Sequence, residues 1–296
     1  MERREFLKRT LIAIAGLGLS KFLKIEKNAE GAVKKTKIYV AKGNNPESNT
    51  YRAVKAAGGI EKFVRRGSKV VIKPNIAWNR KPEQAANTNP YVVSALVKLC
   101  KRAGASEVVV IDHTCNSWKV TYKVSGIAEA VERAGGIIRP PIRYREVSIS
   151  GTKVLRKADV LEEVLDADVV IDVPVVKVHG SRAKITISMK NLMGVVKDRG
   201  YFHRTDLNRC IAEISYFIKP TLIVIDATRI LLTRGPQGPG KVKNTGIVAA
   251  GTDMVALDAF GAKLLGFNPE NVPHLIIGKQ LGLGEYDLNR VKIKYV

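Results

Sequence analysis

From residue 37 onward, short apolar runs alternate with stretches whose apolar positions recur every three or four residues. The runs at 37–40, 69–73, 108–111, 169–176, 222–225 and 246–250 are apolar on both faces. That is what strands need when a sheet is covered on two sides. Between them, 50–65, 90–101, 127–134, 207–217 and 254–265 carry helical spacing. The 90–101 segment shows the logic: Pro90 opens it, Val92, Val93, Leu96, Val97 and Cys100 share one face, and Gly104 closes it. Gly58-Gly59 interrupts the 50–65 segment. The alternation predicts an α/β fold, a mostly parallel open sheet with helices on both faces. A small antiparallel insert is expected within 137–157, where 147–154 alternate and turn at Gly151. Neither repeat nor low-complexity linker interrupts 37–296, which reads as a single α/β domain.

Residues 1–36 read differently. Arg3-Arg4-Glu5-Phe6-Leu7-Lys8 stands directly before the apolar run Leu11 to Leu19. Paired arginines, an aromatic, a leucine and a lysine ahead of a short apolar stretch form the pattern of a twin-arginine export signal. The expectation is export of the folded chain by the twin-arginine translocase, to an extracytoplasmic (periplasmic or membrane-tethered) place. The run is short for a spanning helix unless it continues through Phe22-Leu23. Ala29, Gly31 and Ala32 form a weak cleavage site, which leaves an uncleaved membrane tether through 11–23 open.

Charge narrows the partners. The chain of 296 residues carries 50 Lys and Arg against 27 acidic residues, a formal charge of +23, and 45% hydrophobic residues, ample for a core. Residues 1–36 hold nine Lys/Arg and four Glu, so +18 belongs to the remainder. Such a surplus suits an anionic partner. Specific nucleic-acid binding is not expected: the basic residues are scattered, aromatics are 6%, and no recognition-helix or zinc-finger pattern occurs. Cys100, Cys115 and Cys210 lie far apart without a C-x-x-C, so a self-contained iron–sulfur cluster is not expected. Cys100 and Cys210 fall in apolar helical patterns and read as core.

Candidate chemistry collects where the strands end. The 69–73 run leads into Pro74-Asn75, the 108–111 run into Asp112-His113-Thr114-Cys115, and the 169–176 run into Lys177-Val178-His179. The 222–225 run leads into Asp226-Ala227-Thr228, and the 246–250 run into Gly251-Thr252-Asp253. Parallel strands present such ends along one edge, where ligands bind. Ordinary turn and capping chemistry explains Asp253 and in part Asp112. It does not explain Lys73, Lys177 or His179, which are not turn formers.

The strings Ile72-Lys73-Pro74-Asn75, Lys177-Val178-His179, Ser188-Met189-Lys190-Asn191-Leu192-Met193-Gly194, His203, Asp226-Ala227 and Gly235-Pro236 resemble the recurring motifs of the domain of unknown function 362 family. The resemblance runs from about residue 37 to 267. It implies no settled activity. Some members carry iron–sulfur clusters through ferredoxin-like cysteine motifs, which this chain lacks.

Read chemically, Lys73, Asn75, Lys190, Asn191, Asp226 and Gly235 are expected to bind a small anionic ligand, a carboxylate or phosphate. Lys177, His179 and His203 are the candidate catalytic groups, the histidines serving as an acid/base pair or as metal ligands. A metal ion is a second possibility, with Asp112, His113 and Cys115 as further donors. The 235–240 loop is a rigid lip beside the site, not a phosphate-binding loop or dinucleotide fingerprint. No Gly-x-Ser-x-Gly or His-Glu-x-x-His occurs. The expected function is an exported, redox-linked enzyme acting at the C-terminal edge of the sheet. The alternatives are a non-catalytic extracytoplasmic binding protein for a small acidic ligand, or an accessory factor for another exported enzyme.

Overall fold

Nearly every apolar run becomes a strand, in a computed structural model that describes residues 36–296. In chain order the strands are β1 (Lys37–Lys42), β2 (Lys69–Pro74), β3 (Glu107–Val110), β4 (Ile137–Ile138), β5 (Tyr144–Ser148) and β6 (Lys157–Leu161). They continue with β7 (Val169–Val173), β8 (Val175–Val178), β9 (Ile185–Thr186), β10 (Leu222–Leu231), β11 (Val242–Gly251) and β12 (Lys292–Tyr295). The main sheet has the order β12-β1-β11-β10-β7-β2-β3-β4, with β8 paired to β10 and β9. Its centre, β10-β7-β2-β3-β4, is parallel throughout. Thr36–Val296 forms one compact unit.

Alternation along the central strands sends side chains into two cores. Val70, Ile72, Val108, Val110, Ile171 and Val224 join one, against helices Pro46–Ala56, Pro90–Arg102 and Ile127–Arg133. Val71, Val109, Val170, Ile223 and Ile225 join the other, against Leu207–Ile218, Met254–Leu264 and Pro273–Gln280. Both faces are therefore covered, which is why these strands are apolar on both sides. Helix starts follow capping chemistry: the Asn89 side chain accepts from the Tyr91 N–H with Pro90 in the first turn, and Asp206 accepts from Arg209.

Four details depart from expectation. The first helix spans Pro46–Ala56 instead of 50–65, because Pro46 opens it and the left-handed Gly58 and Gly59 close it. The antiparallel insert pairs β5 with β6, so its partner strand lies beyond the expected 147–154 turn. β10 runs on past Ile225 to Leu231 because β11 folds back antiparallel beside it, which places Asp226 inside a strand. Since β11 is reversed, its end at Gly251 pairs with Ile223 at the start of β10. Gly251-Thr252-Asp253 therefore lies at the opposite edge from the other strand ends. There Asp253 accepts from Ala256 N–H and caps the following helix.

The export pattern at 3–19 and the tether reading at 11–23 lie outside the described residues. Among the described residues no helix is long and apolar enough to cross a membrane.

Candidate active site

Where β2, β3 and β8 end, the chain closes around a cavity of 360 Å³. Its wall includes Lys73, Asn75, Asp112, His113, Cys115, Lys177, His179, Lys190, Asn191 and His203. These are ten of the twelve residues expected from sequence. Arg199, Trp78 and Thr186 join them unannounced. Arg199 is tied down by donating to the carbonyls of His113 and Thr114, at 2.9 and 2.7 Å. Its one sequence signal was its place between the Lys190-Asn191 string and His203.

Asp226 and Gly235 do not line the cavity. Fully buried in β10, Asp226 accepts from the Asn89 and Thr228 backbone N–H groups and orders that strand and the 90–102 helix start. Gly235 acts by fit. A Cβ there would stand 1.9 Å from the Val178 carbonyl oxygen, and its own carbonyl accepts from Gly180 N–H at 3.2 Å. The neighbouring Pro236 reaches the cavity wall.

A buried amide holds the site together. Asn191 Oδ1 accepts from Lys73 Nζ and Asn75 Nδ2, while its Nδ2 donates to the Lys73 carbonyl and to Asp172 Oδ1. All four valences of the amide are used, as burial demands. Asp258 fixes the short helix Ser188–Asn191 by accepting from the Ser188 and Met189 N–H groups at 2.7 and 3.0 Å. Burial pushes the Asp258 carboxyl well above the usual carboxylate range. Gly194 completes the frame. A Cβ on it would come within 2.1 Å of Asp112 Oδ1 and 2.7 Å of Lys73 Nζ.

Three buried lysines meet this frame unequally. Lys73, fully buried, forms a 2.7 Å ion pair with Asp112 and donates to Pro74 O and Asn191 Oδ1, each at 2.9 Å. Lys177, 1% exposed, donates to Asn75 Oδ1 at 3.0 Å and Ala86 O at 2.6 Å. Lys190 has, among the described residues, only the Met193 thioether at 3.4 Å. Burial lowers Lys177 to about 7 and Lys190 to about 8, with the Lys190 charge adding to the effect on Lys177. Asp172 moves the other way, raised to about 7 by burial against the opposing pull of Lys73.

The histidines are bases or neutral donors, not standing cations. Ser181 N–H donates to His179 Nδ1 at 3.0 Å, so the neutral ring carries its proton on Nε2. Burial, reinforced by the Lys190 and Lys177 charges, lowers His179 to about 2. His203, on helix Arg199–Arg204, and His113 are also lowered, mainly by burial. His113 Nδ1 sits 2.9 Å from Val196 O, and Cys115 Sγ accepts from Arg199 at 3.3 Å. Asp112, already paired with Lys73, also accepts from Ile76 N–H at 2.7 Å. Among the described residues, no three His, Cys, Asp or Glu side chains converge as a metal-sized cluster.

Fold and motifs together define the class, and a family model agrees. A model of the family described as Domain of unknown function (DUF362) matches residues 70–263, and the chain belongs to that family. A thylakoid-associated protein of Synechocystis is 28% identical over 240 residues, covering 76% of this chain and 72% of its own. Among solved structures, the lactate racemase apoprotein of Thermoanaerobacterium thermosaccharolyticum superposes with a TM-score of 0.47 at 12% identity. That match covers 76% of this chain and 56% of the racemase chain. A protein from Thermotoga maritima gives a TM-score of 0.40 at 11% identity, over 81% of this chain and 60% of that one. The chain thus spans little more than half the length of either solved structure it matches.

The close approach at Gly194 gives a direct test of the frame. Gly194→Ala should destabilise the protein by about 1–3 kcal/mol, the usual cost of overpacking a filled site. Urea unfolding would measure it; an unchanged midpoint would mean that Lys73 and Asp112 are not held where described.

Proposed function

We propose that this protein is an exported enzyme that binds a small organic anion in the Lys190 cavity and moves protons with Lys177, beside neutral cavity histidines. The observation that carries the reading is the state of Lys190. It is a cation 8% exposed, facing a cavity, with a thioether as its sole hydrogen-bond partner among the described residues. A buried ammonium without an oxygen acceptor is strained electrostatically, and an incoming carboxylate or phosphate relieves that strain. Four basic side chains and one carboxylate line the same wall, and that carboxylate is already paired with Lys73. The anion reading therefore has more support than the metal reading, for which the donor set does not converge.

Lys177 fits proton transfer because a group lowered to about 7 exchanges its proton readily at neutral pH. His179 contributes a neutral ring with an Nε2 proton to donate in hydrogen bonds. Non-catalytic capture of an acidic ligand remains the rival. It predicts binding alone, whereas the enzyme reading also predicts uptake of solvent deuterium into the bound acid.

Thermal-shift titration with succinate and phosphate tests anion binding. At a hundredfold excess over the dissociation constant, mass action stabilises the fold by about 2.7 kcal/mol. That corresponds to a rise of roughly 5–10 °C in a domain of this size. Lys190→Met should remove the rise. Because the bound state holds the Lys190 proton more tightly than the free state, affinity should fall as pH rises through about 8. Equal shifts for wild type and Lys190→Met would overturn the reading.

Export rests on the Arg3-Arg4 string and the apolar run behind it. Replacing both arginines by lysine should leave the protein inside the cell, since the translocase reads that pair. Fractionation showing the variant outside at the wild-type level would contradict export by this route.

A further inference from the structure

Hydrogen-bond counts separate the three buried lysines. Lys73 meets three oxygens, one of them a carboxylate, which suits the three N–H bonds of an ammonium. Lys177 meets two, Asn75 Oδ1 and Ala86 O, both uncharged. Those two acceptors use both N–H bonds of a neutral amine. The nitrogen is tetrahedral, so its lone pair then occupies a direction that neither acceptor fills, in a side chain that lines the cavity. Resting on the anion-site reading above, we propose that Lys177 is a nucleophilic amine that forms an imine with a small 2-oxo acid, whose carboxylate is held by Lys190.

The bond changes balance without a further reagent. The Lys177 nitrogen pair attacks the carbonyl carbon, and the carbon–oxygen π pair moves to oxygen, which takes a proton. The carbinolamine nitrogen gives up one proton as this tetrahedral adduct neutralises. Protonation of the hydroxyl lets it leave as water while the nitrogen pair forms the carbon–nitrogen double bond. Overall, amine, carbonyl and one solvent proton yield an iminium ion and water. The iminium keeps one N–H, which Asn75 Oδ1 or Ala86 O still accepts. Desolvation beside other cations is a recognised way to make a lysine nucleophilic, and Lys177, 1% exposed, shares one cavity wall with Lys73 and Lys190.

The test is reductive trapping on the full chain. Protein is incubated with pyruvate and cyanoborohydride near neutral pH, digested and mapped by mass spectrometry. One reduced adduct on the Lys177 peptide is expected well before exposed lysines react. Lys190→Met should raise the pyruvate concentration for half-labelling by roughly tenfold or more, the loss of one charge-assisted contact. Acetaldehyde, which has no carboxylate, should label both proteins alike. Lys177→Arg should lose the adduct while keeping its melting transition. Wild-type labelling that spreads over exposed lysines without favouring Lys177 would overturn the imine, and so would a lack of labelling. If succinate and phosphate still shift the melting point in that case, only the imine falls. If they do not, the anion site falls with it.

Discussion

The site depends on burying one amide side chain with every valence used. Asn191 ties the ends of β2 and β7 and the Ser188–Asn191 helix into one rigid unit. A buried amide left unpaired costs about 1–3 kcal/mol per orphaned group, so the arrangement resists partial versions of itself. Asn75 extends the network to Lys177. Asp258 fixes the helix from behind, and the missing side chain at Gly194 lets Lys73 and Asp112 approach. The polar frame and the strand-end geometry are therefore one structure, not a site laid on a scaffold.

From that rigidity follows a graded set of protons. Lys73 is compensated by Asp112 and belongs to the frame. Lys177 has two neutral acceptors and Lys190 has almost none, so burial lowers both, with the Lys190 charge adding to the effect on Lys177 and the Arg199 charge to that on Lys190. Asp172, raised to about 7 by burial, lies behind the network and titrates in the same range as Lys177. Groups that titrate near neutrality, in a cavity with a fixed polar wall, are the means by which proteins move protons at physiological pH.

Much of this was legible in the chain. Two-sided apolar runs gave the parallel centre and its helices, and Lys73, Lys177 and His179 stood out because lysine and histidine do not build turns. The fifth strand end misled because strand direction is not encoded in a run of apolar residues. Only the β10–β11 pairing reveals that Gly251 faces the other edge. Asp226 misled for a related reason: an Asp after four apolar residues reads as a strand end, yet β11 carries the strand on past it. Arg199 was missed because a lone Arg in a chain this basic carries no pattern. The role of Asn191 as a hub was hidden too, since a hub is defined by partners 19 to 118 residues away.

The account stands on Lys177 being a neutral amine near physiological pH, and its titration can be read directly. Heteronuclear NMR of the lysine side chains across a pH series, with Lys177→Arg to assign the signal, measures the midpoint. The account predicts a midpoint near 7, far below the ordinary 10.5. A Lys177 signal that titrates at the ordinary lysine value would contradict it.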